Sequence, residues 1–228
     1  PTRELNAADL ARERVAFVQT ARRAAALGID AIELHAAHGY LLHEFLSPLA
    51  NRRSDGYGGS LENRMRFPLE VFSAVRKVWP EAKPLGARIS ASDWIEGGWD
   101  LPQSIEFAQR LKRAGCDWID ASSGGLAPEQ KITLVPGYQV PFAEAIRKAV
   151  GIPTIAIGLI TEPRQAEGIV ASGKADLVAL ARGMLFDPHW AWRAAAELGG
   201  QVSAPKQYWR APPRGAETIF RGAKAGQR

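Results

Sequence analysis

A chain of 228 residues with 46% apolar content is long enough to bury a sizeable core. It contains no run near the roughly 18 uncharged apolar residues of a membrane span, no signal-peptide pattern in ELNAADLARERVAF, and one cysteine, Cys116, which excludes a disulfide framework and fits a reducing, cytoplasmic compartment. The net charge of +5 is scattered over helices apart from a sparse tail (Arg210, Arg214, Arg221, Lys224, Arg228), a pattern of solvated surface with some attraction for phosphorylated ligands and not a nucleic-acid footprint.

Asn6 is positioned to cap a helix running to about Leu27, with Leu10, Phe17, Val18, Ala21 and Ala25 on one face and Gly28 ending it. A strand is expected over 31–35, then a Gly, Ser, Asn and Arg-rich segment, and helical periodicity resumes only over about 61–79. Strand 85–90, helix 102–114 closed by Gly115, and strand 118–122 follow, the last leading into the loop SSGGLAPEQ. Helix 140–149 precedes strand 154–157, helix 162–172 precedes strand 176–181, and a last helix over about 187–197 gives way to a Pro/Gly/Arg-rich tail. Strands and helices that alternate in this way build right-handed βαβ units on a parallel sheet. Five strands would make a self-sufficient open, doubly wound sheet; an eight-unit barrel takes about 250 residues, and this chain lacks three units' worth.

Polar chemistry gathers at the strand ends. The stretch AIELHAAHGY delivers His35, His38 and Tyr40 in quick succession after the first strand. Two imidazole N–H groups can grip one carbonyl oxygen, and a phenol beside them can pass it a proton; either histidine could equally be a structural hydrogen-bonder. His-x-x-His is also a plausible metal-ligand pair, weakened by the shortage of further ligands, since only His43, His189 and Cys116 remain. Spacing alone leaves carbonyl binding and metal open. Arg88 stands inside an otherwise apolar strand, where it must pair with a carboxylate such as Asp120 or face an anionic ligand. Gly158 and the Ala181-Arg182-Gly183 turn, at the last two strand ends, form short loops whose N–H groups could face a phosphate, although each glycine alone is ordinary turn chemistry. Ser122 to Gly125 reads as site wall without an assigned role, and Glu33 as a paired buried carboxylate. The polar groups of Asn51 to Arg64 are expected to brace the loop after His38 and Tyr40.

The segment HAAHGYLLHEFLSPLANRRSDGYGGSLENRMRF closely resembles the signature of the old yellow enzyme family, the FMN-dependent ene-reductases, in the bacterial variant with a His/His pair. The similarity extends from Glu4 to about Arg210. It implies that the five strands are strands four to eight of a (β/α)8 TIM barrel, residues 1–200 being the C-terminal part of that barrel and 201–228 a tail in possible subunit contact. Pro1 without an initiating Met fits that expectation of a C-terminal fragment. Carried over residue by residue, the resemblance puts Arg88 against the flavin N1/C2 edge and Gly158, Ala181 and Arg182 at the FMN phosphate. Relatives often have Gly where this chain has Ala181, a change that keeps the backbone N–H. Gln207-Tyr208-Trp209-Arg210 resembles a segment that reaches a neighbouring subunit's site, which makes Arg210 a candidate cofactor contact in a homo-oligomer.

The implied activity is NAD(P)H-driven reduction of an activated alkene in alternating half-reactions, with His35 and His38 on the substrate oxygen and Tyr40 as proton donor. A second expectation is an inactive half-barrel that needs an N-terminal partner chain to complete the flavin site. A phosphate-binding aldolase or isomerase lacks a Schiff-base lysine at a strand end, since Lys131 and Lys174 fall in loops. An iron–sulfur dienoyl reductase is disfavoured because one cysteine cannot hold a cluster.

Overall fold

The computed structural model describes residues 3–222; Pro1 and the tail residues Lys224 and Arg228 lie outside them. The chain opens with α1 (Ala7–Ala26), capped as its sequence requires: Asn6 accepts from the Asp9 N–H and Asp9 accepts from the Asn6 N–H. Then come β1 (Ile32–Ala36), α2 (Leu41–Leu46), α3 (Leu61–Arg76), β2 (Leu85–Ser90), α4 (Leu101–Arg113) and β3 (Trp118–Ser122). The second half comprises α5 (Val140–Val150), β4 (Thr154–Ala156), α6 (Pro163–Ala171), β5 (Leu177–Val178), α7 (Arg182–Phe186) and α8 (Trp190–Leu198), ahead of a short 3-10 turn at Lys206–Tyr208.

The five strands pair in parallel in the order β1-β2-β3-β4-β5. A doubly wound sheet reverses its strand order and carries helices on both faces. Here the order never reverses, and the residues on one face only (Leu34, Ala36, Leu85, Ala87, Ile89, Ile119, Ala121, Ala156) are buried with the helices in one apolar core. Along that face α1 packs on α3, α3 on α4, α4 on α5, and α6 on α8. This is the wall of a (β/α)8 barrel, seen as a five-strand arc. The opposite, inner face carries Glu33, His35, Arg88, Trp118, Asp120, Ile155 and Leu177, several of them partly or fully exposed.

Three local expectations are corrected. Residues 41–46 are helical, which the polar texture of the following segment hid: Leu42, His43, Phe45 and Leu46 are all buried, so tertiary packing makes this turn of helix. The fifth strand keeps only Leu177–Val178 of the expected 176–181: the Ala179 N–H still bonds the Ala156 carbonyl, and α7 begins at Arg182. Glu33 is exposed and not buried; it does have a partner, accepting from the Trp118 indole N–H at 2.8 Å. That contact needs Gly86, since a Cβ there would lie 2.0 Å from Trp118 Cε2.

The tail is tied down in its described part. A bridge joins Val202 to Phe220, Phe220 is buried, and its ring meets Trp192 of α8 edge-on at 5.0 Å.

Candidate functional site

The site lies at the C-terminal ends of the strands, where parallel α/β sheets present their loops. A cleft of about 280 Å³ is lined by residues that include His38, Arg88, Ser122, Gln139, Gly158, Ala181 and Arg182. Five of the residues expected at the site from sequence therefore share one concavity. His35 and Tyr40 stand beside it: the His35 ring centroid is 5.2 Å from that of His38 and 5.3 Å from that of Tyr40. Arg210 is exposed on the loop bounded by Val202 and Phe220, and does not line the cleft.

The β1–α2 turn projects the histidines. His38 has φ of +59°, in the left-handed region, and Gly39 continues it at +75°. Such a turn needs anchoring, and three contacts supply it. The His38 N–H donates to Ser90 Oγ at 3.0 Å, and Ser90 donates onward to the Gly124 carbonyl at 2.8 Å. The Gly39 N–H donates to His43 Nδ1 at 2.9 Å, which leaves the His43 ring proton on Nε2, itself 2.9 Å from Asp93 Oδ1. Both side chains of that pair are fully buried. Burial alone would raise the Asp93 carboxyl, but His43, the Ser47 hydroxyl and the Trp99 N–H together hold it below its usual range.

Residues 51–64 brace the next loop. Asn51 donates to the Phe45 and Tyr57 carbonyls at 2.7 Å each, and the Arg64 guanidinium donates to the Leu46 carbonyl at the end of α2.

His38 Nε2 lies 2.6 Å from Ser122 Oγ. Ser122 also approaches Gln139 Oε1 at 3.4 Å, but that oxygen already accepts the Ser123 hydroxyl at 2.6 Å. A carbonyl oxygen has lone pairs for both hydroxyls, so Ser122 donates to Gln139 Oε1 when His38 carries its proton on Nε2, and to His38 Nε2 when that proton sits on Nδ1. Burial, followed by the nearby charges of Arg88, His35 and His43, depresses His38 to about 4; burial and then Arg88 and His43 lower His35 as well. Depressed in this way, His38 is a neutral donor at pH 7, suited to polarising an oxygen without carrying charge.

Arg88 reaches the cleft from β2. Its Nη1 is 3.4 Å from Asp120 Oδ2, while its Nε is buried without a partner among the described residues. Of the two alternatives posed by its sequence position, the carboxylate contact is present, and Arg88 also lines the cleft. Across from it, Gly158 has φ of +105°, and a Cβ there would fall 2.6 Å from Gln139 Nε2. Only glycine lets this loop close over the buried glutamine. No three His, Cys, Asp or Glu side chains gather as a metal-ligand set among the described residues.

Sequence reasoning missed Ser122 as the partner of His38, Gln139, and the His43–Asp93 pair. The SSGG loop carried a weak signal as a polar strand end. Gln139 and Asp93 carried none, because the contacts that join them to Ser123 and His43 span 16 and 50 positions.

Against known proteins, the model of the NADH:flavin oxidoreductase / NADH oxidase family, named for FMN, matches residues 1–201. The chain is 51% identical over 208 residues to an NADPH dehydrogenase of Geobacillus thermodenitrificans, covering 91% of this chain and 60% of the relative. It is 50% identical over 194 residues to that of Bacillus subtilis, covering 85% and 56%. Among solved structures, morphinone reductase in complex with tetrahydroNAD aligns with a TM-score of 0.69 at 29% identity, over 97% of this chain and 55% of that one. A 2-naphthoyl-CoA reductase complex aligns with a TM-score of 0.78 at 32% identity, over 83% and 29%. The chain thus spans about 60% or less of the length of these relatives.

Proposed function

The chain belongs to the NADH:flavin oxidoreductase / NADH oxidase family, the old yellow enzymes, and on that footing we propose that it forms the C-terminal part of an FMN-dependent enzyme reducing activated C=C bonds with NAD(P)H. The observation that carries the proposal is the shared cleft, in which His38, Arg88, Gly158, Ala181 and Arg182 meet at the strand ends. These residues fit an FMN on the structure's own terms. Arg88 keeps an unpartnered buried Nε and lines the cleft, and Gly158, Ala181 and Arg182 line the same cleft at the ends of the last two strands. The chemistry that a bound FMN would supply is hydride transfer between NAD(P)H and the alkene.

The chain's own residues do the rest. Gly158, Ala181 and Arg182 would hold the phosphate end of a bound FMN, and Arg88 would set a positive charge beside it. His35 and His38, both neutral, donate N–H groups to the carbonyl or nitro oxygen of the substrate and draw electron density toward it. Tyr40, exposed beside His35, delivers the proton to the α-carbon. Substrates of this chemistry are α,β-unsaturated aldehydes, ketones, imides and nitroalkenes. NAD(P)H and alkene use the cleft in turn, which makes the kinetics ping-pong. Residues 201–228 are read as a tail that brings Arg210 to a neighbouring subunit in a homo-oligomer.

A second reading is favoured by the inner face. Leu177 is 56% exposed and Glu33 is exposed, and β1 and β5 each pair on one side only. On this reading the chain is an incomplete barrel that gains the flavin site with a complementary N-terminal segment. A visible absorbance spectrum with intact mass separates the two. A flavin band that NADPH bleaches and an enone restores supports the enzyme; a colourless single chain overturns it for this polypeptide. In flavin-loaded material, H35A/H38A is expected to lose binding of phenols with FMN retained, and unchanged phenol binding would remove the role given to the histidines.

A further inference from the structure

Asp120 has no part in the reaction above, yet it is the side chain that faces Arg88. The register places His35, Arg88 and Asp120 side by side on β1, β2 and β3. Asp120 is 5% exposed against 29% for Arg88, so the carboxyl lies beneath the guanidinium and away from solvent. Its Oδ2 is 3.4 Å from Arg88 Nη1, too long for a bidentate pair, and its Oδ1 is buried without a partner among the described residues. The charged groups around it are Arg88 on β2 and Glu33 on β1, with His35 next to Arg88; Ile155, its register partner on β4, carries no charge.

We propose that Asp120 is the positioning residue and counter-charge of Arg88: it holds the guanidinium on the inner face of the sheet and sets how much positive charge the cleft receives. When Asp120 is ionised, the pair is neutral and an anionic group in the cleft meets little net attraction. When Asp120 is protonated, Arg88 offers its full charge. An anion docked against Arg88 competes with Asp120 for the guanidinium, so it draws a proton onto the carboxyl. Burial pushes this carboxyl up to about 7, opposed by Arg88 and aided by Glu33, which puts the exchange within reach of neutral pH.

The carboxyl itself is tested without any ligand, by ¹³C NMR titration of aspartate-labelled chain. Asp120 is expected to titrate near neutrality in the wild type and higher in Arg88→Gln; a midpoint in the ordinary carboxylate range, or one that Arg88→Gln leaves in place, overturns the proposal. The consequence for the cleft rests on the flavin reading, and is read from the midpoint potential of bound FMN against pH. Asp120→Asn is expected to raise that potential at pH 8 and to leave it unchanged at pH 6, where the wild-type carboxyl is already protonated. An equal shift at both pH values would reduce Asp120 to a structural role. If neither protein binds FMN, the flavin reading fails and the NMR titration alone decides for Asp120. If Asp120→Asn does not fold, Arg88→Gln decides in the same titration.

Discussion

His38 shows how much of this site is set by single contacts. Its Nε2 is 2.6 Å from Ser122 Oγ, a bond that couples the ring's orientation and tautomer to a buried serine. Ser122→Ala removes that constraint, and phenol binding to flavin-loaded protein is expected to weaken roughly three- to tenfold, by about 1 kcal/mol for one hydrogen bond. Titration of a phenol monitored in the visible range checks it. The pH dependence has a definite sign. The folded-state pKa of His38 is depressed to about 4 from the ordinary 6.5, so the folded state resists its protonation. Its stabilising contribution is complete above about 6.5 and is lost as pH falls toward 4. Thermal melts between pH 7 and 4 are expected to show this loss, and His38→Gln to flatten part of it.

At the level of elements, two packing arrangements hold the inner face and the first loop in place. Trp118 of β3 lies across Gly86 of β2 to reach Glu33 on β1, which ties three strands together through one indole. Gly86→Ala would drive a Cβ into that ring, and the cost is expected near the top of the overpacking range, about 3 kcal/mol in urea unfolding. Combining it with Trp118→Ala relieves the clash and is expected to recover part of the loss. Beneath α2, Asp93 joins three partners: Ser47 donates to it at 2.6 Å, the Trp99 N–H at 2.7 Å, and His43 sits against its other oxygen. Asp93→Ala strands all three in a dry environment, and about 3–5 kcal/mol of destabilisation is expected. The same change releases Gly39 and the His38 turn, so phenol affinity is expected to fall along with stability.

For the molecule as a whole, the arc of five strands leaves an inner face and two strand edges to be covered. A groove of about 560 Å³ beside β1, lined by Phe17, Ala21, Ala24, Ile32, Leu34 and Val75, continues that open side onto α1. Among the residues of α1, only Asp9, Leu10 and Ala21 are buried, fewer than a 20-residue helix packed on both flanks would show. Co-expression with the N-terminal 40% of a relative such as the Geobacillus enzyme is expected to raise flavin retention and the thermal midpoint. Equal flavin content and an unchanged midpoint with and without it would mean that the arc completes itself by other means.

The sequence by itself determined the alternation of strands and helices, because each element's apolar period and its punctuation by Gly28, Gly115 and the caps are local properties. It also marked His35, His38, Tyr40 and Arg88 as candidates, since a charge in an apolar strand and two imidazoles at a strand end are visible in one dimension. The α2 turn was not legible, because its helicity comes from burial of Leu42, Phe45 and Leu46 against elements far along the chain. Alternation and spacing left open the strand order, which separates a barrel wall from a doubly wound sheet; the family resemblance implied the barrel, and the structure bears it out. Only the tertiary structure brought Ser122 to His38, Asp93 to His43 and Asp120 to Arg88. Each of those pairs joins strand ends or loops 32 to 84 residues apart, and a hydrogen bond or a shifted pKa depends on distance in space, which no spacing in the chain records.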